Sequence, residues 1–368
     1  MIIKGIQAIP VNIPLLEPFK WSGGVIKNHK YVIIKLKTKE GIIGYGEASG
    51  LEPSYDHETQ GSIVYLVKEY LEPMLIGKDL SEHDQISSLF DGIVGNDYAK
   101  ASIDMAIFDA LGKHLQLPIS KLLGGSLKKK IEAQWTIGIK SSVEMAKDAL
   151  KSRNEGYRSF KIKVGENFER DVEHFKIVRD TIGGNNSLAC DSNQRWTPRQ
   201  AIKFIKAIEQ YNPLYIEQPV NRYDFDGLAQ VSRDSSCPIA ADESLHTVND
   251  ALHLIKKDAV HIFGIKIART GLWLGKKISS IAEAAKINYF LGSMIETGIG
   301  AAAALQFAAS LKNLSLPCES VIGPTRLKDD LITEPLRFKK GSVEVPDKPG
   351  LGVDIDENML KKYSIPLN

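Results

Sequence analysis

Five short apolar runs between residues 160 and 266 carry side chains that can do acid, base or metal chemistry. Three runs end in the carboxylates Asp191, Glu217 and Asp242, and the first and last carry Lys163 and Lys266. These positions follow one another at intervals of about 25 residues, the length of one strand, one helix and two short loops. A charged group at the C-terminal end of each strand in such a series is the layout of a TIM-type barrel active site.

The three carboxylates predict a site for a hard divalent cation. If Asp191, Glu217 and Asp242 converged without a counter-charge, they would repel one another and raise each other's pKa. Mg²⁺ prefers about six oxygen ligands and accepts carboxylates, water and substrate oxygens together. We therefore expect Mg²⁺ at these residues, with Mn²⁺ as the alternative. A single carboxylate at a strand end would indicate no more than a solvated loop charge.

Lys161 and Lys163 are two residues apart, so in a strand both side chains project to the same side. Apolar neighbours such as Ile162 suit the opposite, helix-facing side, and we expect both ammonium groups inside the barrel. Burial and like charge would there lower the pKa of a lysine and make it a usable base. Lys266, on the sixth strand, would face Lys163 across the barrel axis. A substrate between them could exchange a proton α to a carboxylate through a metal-stabilised enediolate.

The chain around these residues alternates strand and helix patterns from residue 131 to residue 320. Eight strand patterns are separated by seven helical ones, and strands joined by helices pair in parallel. Eight such strands close into a barrel. An open doubly wound sheet is the alternative, but no glycine-rich phosphate loop follows the first strand. We therefore predict an α/β fold of the TIM-barrel type, with its last strand at Ser315–Ser320.

Two segments near the N-terminus predict a lid. Residues 1–125 have strand patterns first and helical patterns after, which is typical of an α+β unit. The stretch Pro14–Gly24 contains two prolines and two glycines, which predict a loop, yet it carries Phe19 and Trp21. A second polar loop, Leu51–Gln60, carries Tyr55. Aromatic side chains in loops favour a lid or contact surface, and the alternative is a loop folded against its own domain.

Composition excludes several classes of function. The 368 residues carry 47 Lys and Arg against 45 Asp and Glu, a formal net charge of +2. This balance gives no electrostatic basis for binding nucleic acid or an anionic membrane. Cys190, Cys237 and Cys318 are too few for a disulfide framework, and we expect buried, reduced thiols. The N-terminus begins in a strand pattern without a signal peptide, which predicts a cytoplasmic protein with no membrane span.

Further polar side chains follow the strand patterns. Those near the carboxylates are Asn193, Gln218, Glu243 and Ser244, and those after the seventh strand are Ser293 and Glu296. Such residues can bind substrate, orient the ligand carboxylates or cap the following helices. We take Asn193, Ser293 and Glu296, together with Trp21 and Tyr55, as the substrate-binding candidates.

Taken together, these motifs resemble those of the enolase superfamily, in its muconate-lactonizing subgroup within the mandelate racemase/muconate lactonizing enzyme family. They are Lys161-Ile162-Lys163, Asp191-Ser192-Asn193, Ile216-Glu217-Gln218-Pro219, Ala241-Asp242-Glu243-Ser244 and Ile265-Lys266. The resemblance extends through Gly44–Ala48, the helix within Ala101–Gly125 and the tail Asp347–Asp354. It covers nearly the whole chain.

The resemblance implies a capping domain at residues 1–125 that closes over a modified (β/α)7β barrel at residues 126–325. Residues 326–368 would pack back on the capping domain. It further implies Mg²⁺ on the three carboxylates, Lys163 and Lys266 as the acid/base pair, and Lys161 supporting Lys163 and the substrate carboxylate. The lysine at position 266 argues against the mandelate racemase subgroup, which would need a His-Asp dyad. A homo-oligomer is also implied.

Within the subgroup the resemblance is divided. Gly323-Pro324 and Leu327–Ile332 resemble muconate cycloisomerases, whereas Glu296–Gly300 resembles the N-acylamino acid racemase branch. The paired aspartates with which dipeptide epimerases bind the substrate ammonium are absent after Glu296. We therefore expect a cycloisomerase of a small-molecule carboxylate. The alternative is a racemase or epimerase of N-acylamino acids, dipeptides or proline betaines, and the remote alternative is a non-catalytic barrel that binds a metal and a carboxylate.

Overall fold

Three antiparallel strands and a group of helices form the first third of the chain in the computed structural model, which describes residues 1–366. The strands are β1 (Ile3–Trp21), β2 (Gly24–Thr38) and β3 (Ile43–Ser49), in the order β1-β2-β3. The helices are α1 (Gln60–Leu66), α2 (Glu72–Leu75), α3 (His83–Asp91), α4 (Asp97–Leu115) and α5 (Ile119–Leu122), with a π-helical turn at Val67–Leu71. Helix α4 packs closely on β3, because Gly44 and Gly46 leave room for its backbone. A Cβ added at Gly46 would lie 1.9 Å from the Ser102 carbonyl oxygen.

The prediction of a loop at Pro14–Gly24 is wrong, because this stretch is the far end of the β1–β2 hairpin. Trp21 pairs with Gly24, so only Ser22 and Gly23 form the turn. The pairing register shifts between Pro14 and Phe19. Strand β1 lies at the edge of its sheet, where a proline without an N–H is tolerated, especially at an irregularity. The aromatic side chains are therefore held on a two-stranded arm.

A parallel seven-stranded sheet forms the second, larger part. Its strands are β5 (Gln134–Ile137), β6 (Ser159–Lys163), β7 (Ser187–Asp191), β8 (Ile216–Glu217), β9 (Ile239–Ala241), β10 (Ile262–Ile265) and β11 (Asn288–Leu291), hydrogen-bonded in chain order. The helices between and after them are α6 (Ser142–Asn154), α7 (Phe168–Ile182), α8 (Pro198–Ile208), α9 (Phe225–Asp234), α10 (Val248–Lys256), α11 (Ile267–Ala285) and α12 (Gly298–Ala309). Short 3₁₀ turns lie at Glu209–Tyr211 and Gly323–Arg326.

The segment around Cys318 closes this sheet into a barrel. The Gln134 N–H donates to the Cys318 carbonyl at 2.9 Å, and the Glu319 N–H donates to the Leu291 carbonyl at 2.9 Å. The segment thus bridges β5 and β11, in the position predicted for the eighth strand, although its pairing is limited to a single bridge between Ala133 and Cys318. The predicted (β/α)7β architecture with an N-terminal α+β unit is confirmed.

The strand pattern that begins at residue 131 forms two strands instead of one. It divides into β4 (Lys130–Glu132) and β5, and β4 leaves the barrel to pair with the tail. The tail supplies β12 (Phe338–Lys339) and β13 (Ser342–Glu344), in the sheet order β12-β13-β4, and ends in α13 (Glu357–Tyr363). It also contacts the N-terminal sheet, because the Ile365 N–H donates to the Pro10 carbonyl at 2.9 Å.

Alternation along the barrel strands separates the core from the site. In β6, Phe160 and Ile162 are fully buried between the sheet and its helices, whereas Lys161 and Lys163 project into the barrel. Ala189, Tyr215, Ala240 and Phe290 form a small apolar cluster of their own. The three cysteines are free and buried, as expected. No helix within residues 1–366 is both long and apolar enough to cross a bilayer.

Candidate active site

The predicted carboxylate triad converges at the C-terminal ends of three adjacent strands. Asp191 ends β7, Glu217 ends β8, and Asp242 directly follows β9. Asp191 and Glu217 are partners in the strand register, so they lie side by side. One oxygen atom from each of the three residues lies within 4.8 Å of the other two, and all three side chains are buried. This arrangement follows from the parallel pairing, which brings equivalent strand ends to one edge.

The donor set fits a divalent cation. The Oε1 atom of Glu217 is buried without any hydrogen-bond partner in the described part of the chain. Burial raises the pKa of Glu217 well above its usual range, and Asp191 and Asp242 add to that rise although Lys161 opposes it. An acidic oxygen in this position is satisfied by a metal ion, since carboxylate oxygens are the ligands that hard cations prefer.

Lys161 lies at the centre of a buried ion-pair network. Its Nζ donates to Glu217, lies 2.7 Å from Glu319 Oε2 and is 3.9 Å from Asp191 Oδ2. Lys163 lies two residues further along β6, on the same face. Its Nζ donates to Asp191 Oδ2 at 2.5 Å and to Asn193 Oδ1 at 3.1 Å. Lys161 is therefore enclosed by carboxylates, whereas Lys163 stands at the edge of the open cavity.

Lys266 stands on the opposite side of the triad, just after β10. Its Nζ donates to Asp242 Oδ2 at 2.6 Å and to the Tyr55 hydroxyl at 2.7 Å. The other oxygen of Asp242 accepts a hydrogen bond of 2.6 Å from Arg269, which is buried in the first turn of α11. Lys163 and Lys266 thus approach the carboxylates from different walls, as the strand order predicted.

The expectation that the lysines have lowered pKa values is wrong for β6. Burial is the largest single influence and lowers the pKa of Lys163, but Asp191, Glu217 and Glu319 together outweigh it, so the net shift is upward. Burial likewise lowers the pKa of Lys161, and Glu217 and Glu319 together raise it well above its usual range. Like charge and burial do lower the pKa of a lysine, but the fold also places carboxylates within hydrogen-bonding distance of each ammonium group, and these raise it.

Polar residues next to the triad hold the Asp191 carboxylate and the backbone that carries Asp242. The Asn193 N–H donates to Asp191 Oδ1 at 2.8 Å, and its side-chain amide donates to Glu243 Oε1 at 3.0 Å. Gln218 Oε1 accepts from the backbone N–H groups of Asp242 and Ser244, at 3.0 and 3.1 Å. Through these contacts Asn193 and Gln218 hold the residues of the carboxylate triad in place.

A cavity opens above the triad, between the barrel mouth and the N-terminal sheet. Trp21 and Tyr55 both line it, and their rings meet edge to face with centroids 5.4 Å apart. The β1–β2 hairpin and the loop after β3 therefore form its roof. The barrel contributes Lys163, Asn193 and Lys266.

The two candidates after β11 have different positions. Ser293 lines the cavity, but Glu296 does not. The Glu296 carboxylate is buried and accepts hydrogen bonds from the Ser293 hydroxyl at 2.7 Å and the Met294 N–H at 2.8 Å. Burial raises the pKa of Glu296 to about 7. Its position behind Ser293 suits the shaping of this turn rather than contact with a bound molecule.

Three charged residues of the site were not among the predicted site residues. Glu319 lies in the predicted eighth strand, and Arg269 lies in the first turn of α11. Arg326 lines the cavity from the 3₁₀ turn after the closing segment. The motif Cys318-Glu319-Ser320 resembles the other strand ends, with an acidic residue after an apolar one, and could have revealed Glu319.

Comparison with known families covers both parts of the chain. Residues 4–124 match the family Mandelate racemase / muconate lactonizing enzyme, N-terminal domain. Residues 144–359 match the family Enolase C-terminal domain-like.

Individual proteins match along their full length. A chloromuconate cycloisomerase of Cupriavidus necator is 33% identical over 371 residues, which cover 99% of each chain. A crystal structure of a muconate lactonizing enzyme from Pseudomonas fluorescens, complexed with muconolactone, superimposes with a TM-score of 0.96 at 32% identity and covers 99% of each chain. An N-succinyl Arg/Lys racemase from Bacillus cereus superimposes with a TM-score of 0.95 at 31% identity, covering 99% of this chain and 98% of the other.

Proposed function

Because this chain belongs to the mandelate racemase/muconate lactonizing enzyme family of the enolase superfamily and is an isomerase of that superfamily, we propose that it is a Mg²⁺-dependent muconate cycloisomerase. The observation that carries this proposal is the buried carboxylate triad flanked by lysines on two walls of one cavity. The product would be a lactone, formed by proton donation α to a substrate carboxylate.

The triad would hold the metal. Asp191, Glu217 and Asp242 would bind Mg²⁺, and the unpartnered Oε1 of Glu217 supports this assignment. When bound, the cation supplies positive charge that stabilises the enediolate form of the substrate carboxylate. Asn193 would keep Asp191 Oδ1 oriented, and Gln218 would hold the backbone that carries Asp242, through the hydrogen bonds described above.

Lys163 would be the proton donor. In cycloisomerisation one carboxylate oxygen of the substrate adds to a conjugated double bond. The electron pair of that bond moves toward the second carboxylate, and the carbon α to it then takes a proton. An ammonium group at the edge of the cavity, held by Asp191 at 2.5 Å, is in a position to give that proton. Positioned general acids contribute roughly 10²–10⁴-fold in rate.

Lys161 and Lys266 would have supporting electrostatic roles. Lys161 pairs with Glu217 and Glu319 in a fully buried position, so it would lower the negative charge of the site without moving a proton. Lys266 is tied to Asp242 and Tyr55 on the far wall. Trp21 and Tyr55 would exclude water from the enediolate, since both lie in the roof of the cavity.

The second candidate is a racemase of N-acylamino acids, which would use both lysines as acid and base on opposite faces of one carbon. It is favoured by the near-equivalent placement of Lys163 and Lys266 and by the likeness to the N-succinyl Arg/Lys racemase. The cycloisomerase proposal has the wider support, because a chloromuconate cycloisomerase and a muconate lactonizing enzyme both match the chain, at 33% and 32% identity, whereas one racemase structure matches it at 31%.

The test is turnover by the purified, Mg²⁺-loaded protein. cis,cis-Muconate and its chlorinated forms would be followed by loss of the diene absorbance, and N-succinyl amino acids by optical rotation. We expect lactone formation that EDTA stops and Mg²⁺ restores. Racemisation of N-succinyl amino acids without any loss of diene absorbance would replace the cycloisomerase proposal with the racemase one.

A further inference from the structure

Arg326 stands apart among the cationic residues that line the cavity. Lys163 is paired with Asp191, and Lys266 is paired with Asp242. The arginines that form ion pairs within residues 1–366 are Arg222, Arg233 and Arg269, and Arg326 is not among them. The cavity therefore contains a guanidinium that has no carboxylate within 4.0 Å in the described part of the chain.

The position of this guanidinium is fixed by contacts that leave most of its donors free. Its Nη2 donates to the carbonyl oxygen of Thr136, and its carbon atom lies 4.6 Å from the Trp135 ring centroid and 5.2 Å from that of Phe19. Cations over aromatic faces are attracted by the ring quadrupole, and a guanidinium has five N–H donors in a planar fork. The remaining donors border the cavity, which Arg326 lines.

The carboxylates near Arg326 are already engaged. Asp148 accepts from the Trp135 indole N–H at 2.9 Å and from Lys140 at 3.1 Å. Glu319 also lines the cavity, but its carboxylate lies 2.7 Å from Lys161 and accepts from the Thr136 hydroxyl. Glu52 lines the cavity on the roof side and pairs with Lys30 at 3.4 Å. A partly buried cation that lacks an internal partner favours an anionic group supplied from outside, since removing a charge from water is costly unless it is paired.

The location of Arg326 relative to the triad indicates which substrate group it would meet. Thr136, which holds it, lies on β5, and Glu217 lies on β8, three positions away in the sheet order. The metal ligands and Arg326 are therefore on different parts of the barrel rim. A substrate with one carboxylate at the triad would extend its other end toward Arg326.

We propose that Arg326 is a specificity-determining residue that binds the second carboxylate of a dianionic substrate, at the end of the cavity remote from the metal ligands. This inference rests on the proposed function, in which the carboxylate at the triad carries the enediolate. Under that function the carboxylate at Arg326 is the one whose oxygen closes the lactone ring, so Arg326 would orient it. A bidentate guanidinium fixes a carboxylate in one plane, which a lysine does not. Substrates with a neutral or cationic distal end would be selected against.

Binding of two unreactive probes tests this. Adipate and hexanoate have the same carbon chain, and only adipate has a second carboxylate. We would titrate each into the Mg²⁺-saturated protein by calorimetry, for the unchanged chain, R326M, R326K and R199M. Arg199 is exposed on α8 and controls for loss of one positive charge. We expect the unchanged chain to bind adipate about 10- to 100-fold more tightly than hexanoate, as for hydrogen bonds between charged groups.

R326M should lose this preference, with hexanoate affinity changed by less than about twofold, and R199M should keep it. Hexanoate binding also reports that R326M is folded. R326K, which keeps the charge but not the fork, should retain only part of the preference. Equal affinity of the unchanged protein for the two probes would overturn the proposal. So would a loss of affinity in R326M and R326K that is the same for adipate as for hexanoate. These titrations need no turnover, so a protein that prefers adipate through Arg326 but forms no lactone would contradict the proposed function alone.

Discussion

Glu217 and Glu319 provide a matched pair of variants for the metal site. Both carboxylates contact Lys161, and both are buried. Only Glu217 belongs to the triad whose oxygens lie within 4.8 Å of one another. Glutamine keeps the shape of either side chain and removes its charge. E217Q should therefore abolish metal-dependent stabilisation, whereas E319Q should preserve it, and each variant leaves Lys161 with the other glutamate and with Asp191 at 3.9 Å.

The magnitude follows from linkage. A ligand that binds only the folded state, at 100 times its Kd, stabilises that state by about 2.7 kcal/mol. For a chain of this size, 1 kcal/mol shifts the melting temperature by roughly 2 °C, so saturating Mg²⁺ should raise it by about 5 °C. E217Q removes one of three anionic ligands and leaves Asp191 and Asp242 tied to lysines. We expect a shift of less than about 1 °C for it.

The assay is scanning calorimetry of EDTA-treated protein with and without MgCl₂, with NaCl at equal ionic strength as the control for screening. The unchanged chain and E319Q should both show the full rise. The reasoning would be refuted by an E217Q protein that gains as much stability from Mg²⁺ as the unchanged chain. It would also be refuted by an E319Q protein that gains none, because the cation would then lie elsewhere in the Lys161 network.

Three further outcomes follow from the same geometry. K163A should lose at least about 10²-fold in the rate of lactone formation, while K266A keeps measurable turnover in the same diene absorbance assay. F263A should lower the free energy of unfolding in urea by about 3–5 kcal/mol, because Phe263 is fully buried, and V143A should change it by less than about 0.5 kcal/mol, because Val143 is 77% exposed. Burial lowers the pKa of His29 to about 4, so the folded state stays neutral while the unfolded chain gains a proton below pH 6.5. The free energy of unfolding should therefore be about 2 kcal/mol lower at pH 5 than at pH 7 from this residue, and H29Q should remove that part of the decline in urea titrations at the two pH values.

Each of these has a contradicting result. Equal loss of lactone formation in K163A and K266A would favour a role for both lysines in proton transfer. An F263A protein as stable as V143A would mean that β10 is not in the core. An unchanged acid-side decline in H29Q would mean that other groups account for it.

The sequence was sufficient for the barrel and for the triad because both depend on periodicity. Asp191, Glu217 and Asp242 recur once per strand-helix unit, and parallel pairing brings equivalent strand ends together whatever the loops do. The inward direction of Lys161 and Lys163 follows from the alternation of a strand, which is also local.

Features that depend on contacts between residues far apart in the sequence could not be predicted from the sequence. Pro14–Gly24 has loop composition, but pairing with β2 holds it as a strand, so tertiary context overrides local propensity. The raised pKa of Lys163 depends on Asp191, 28 residues away along the chain and 2.5 Å away in space. Arg326 lies in a short turn with no period. Only the fold reveals that it has reached the cavity between Phe19 and Trp135.

Deuterium incorporation tests the proton-donor role of Lys163 most directly. cis,cis-Muconate would be converted by the Mg²⁺-loaded protein in D₂O, and the lactone would be examined by proton NMR. Because the lysine ammonium exchanges with solvent, we predict one deuterium on the carbon α to the free carboxylate of the lactone, in a single stereochemical position. A lactone that forms without deuterium, or with deuterium distributed over both positions of that carbon, would contradict donation from one fixed side chain.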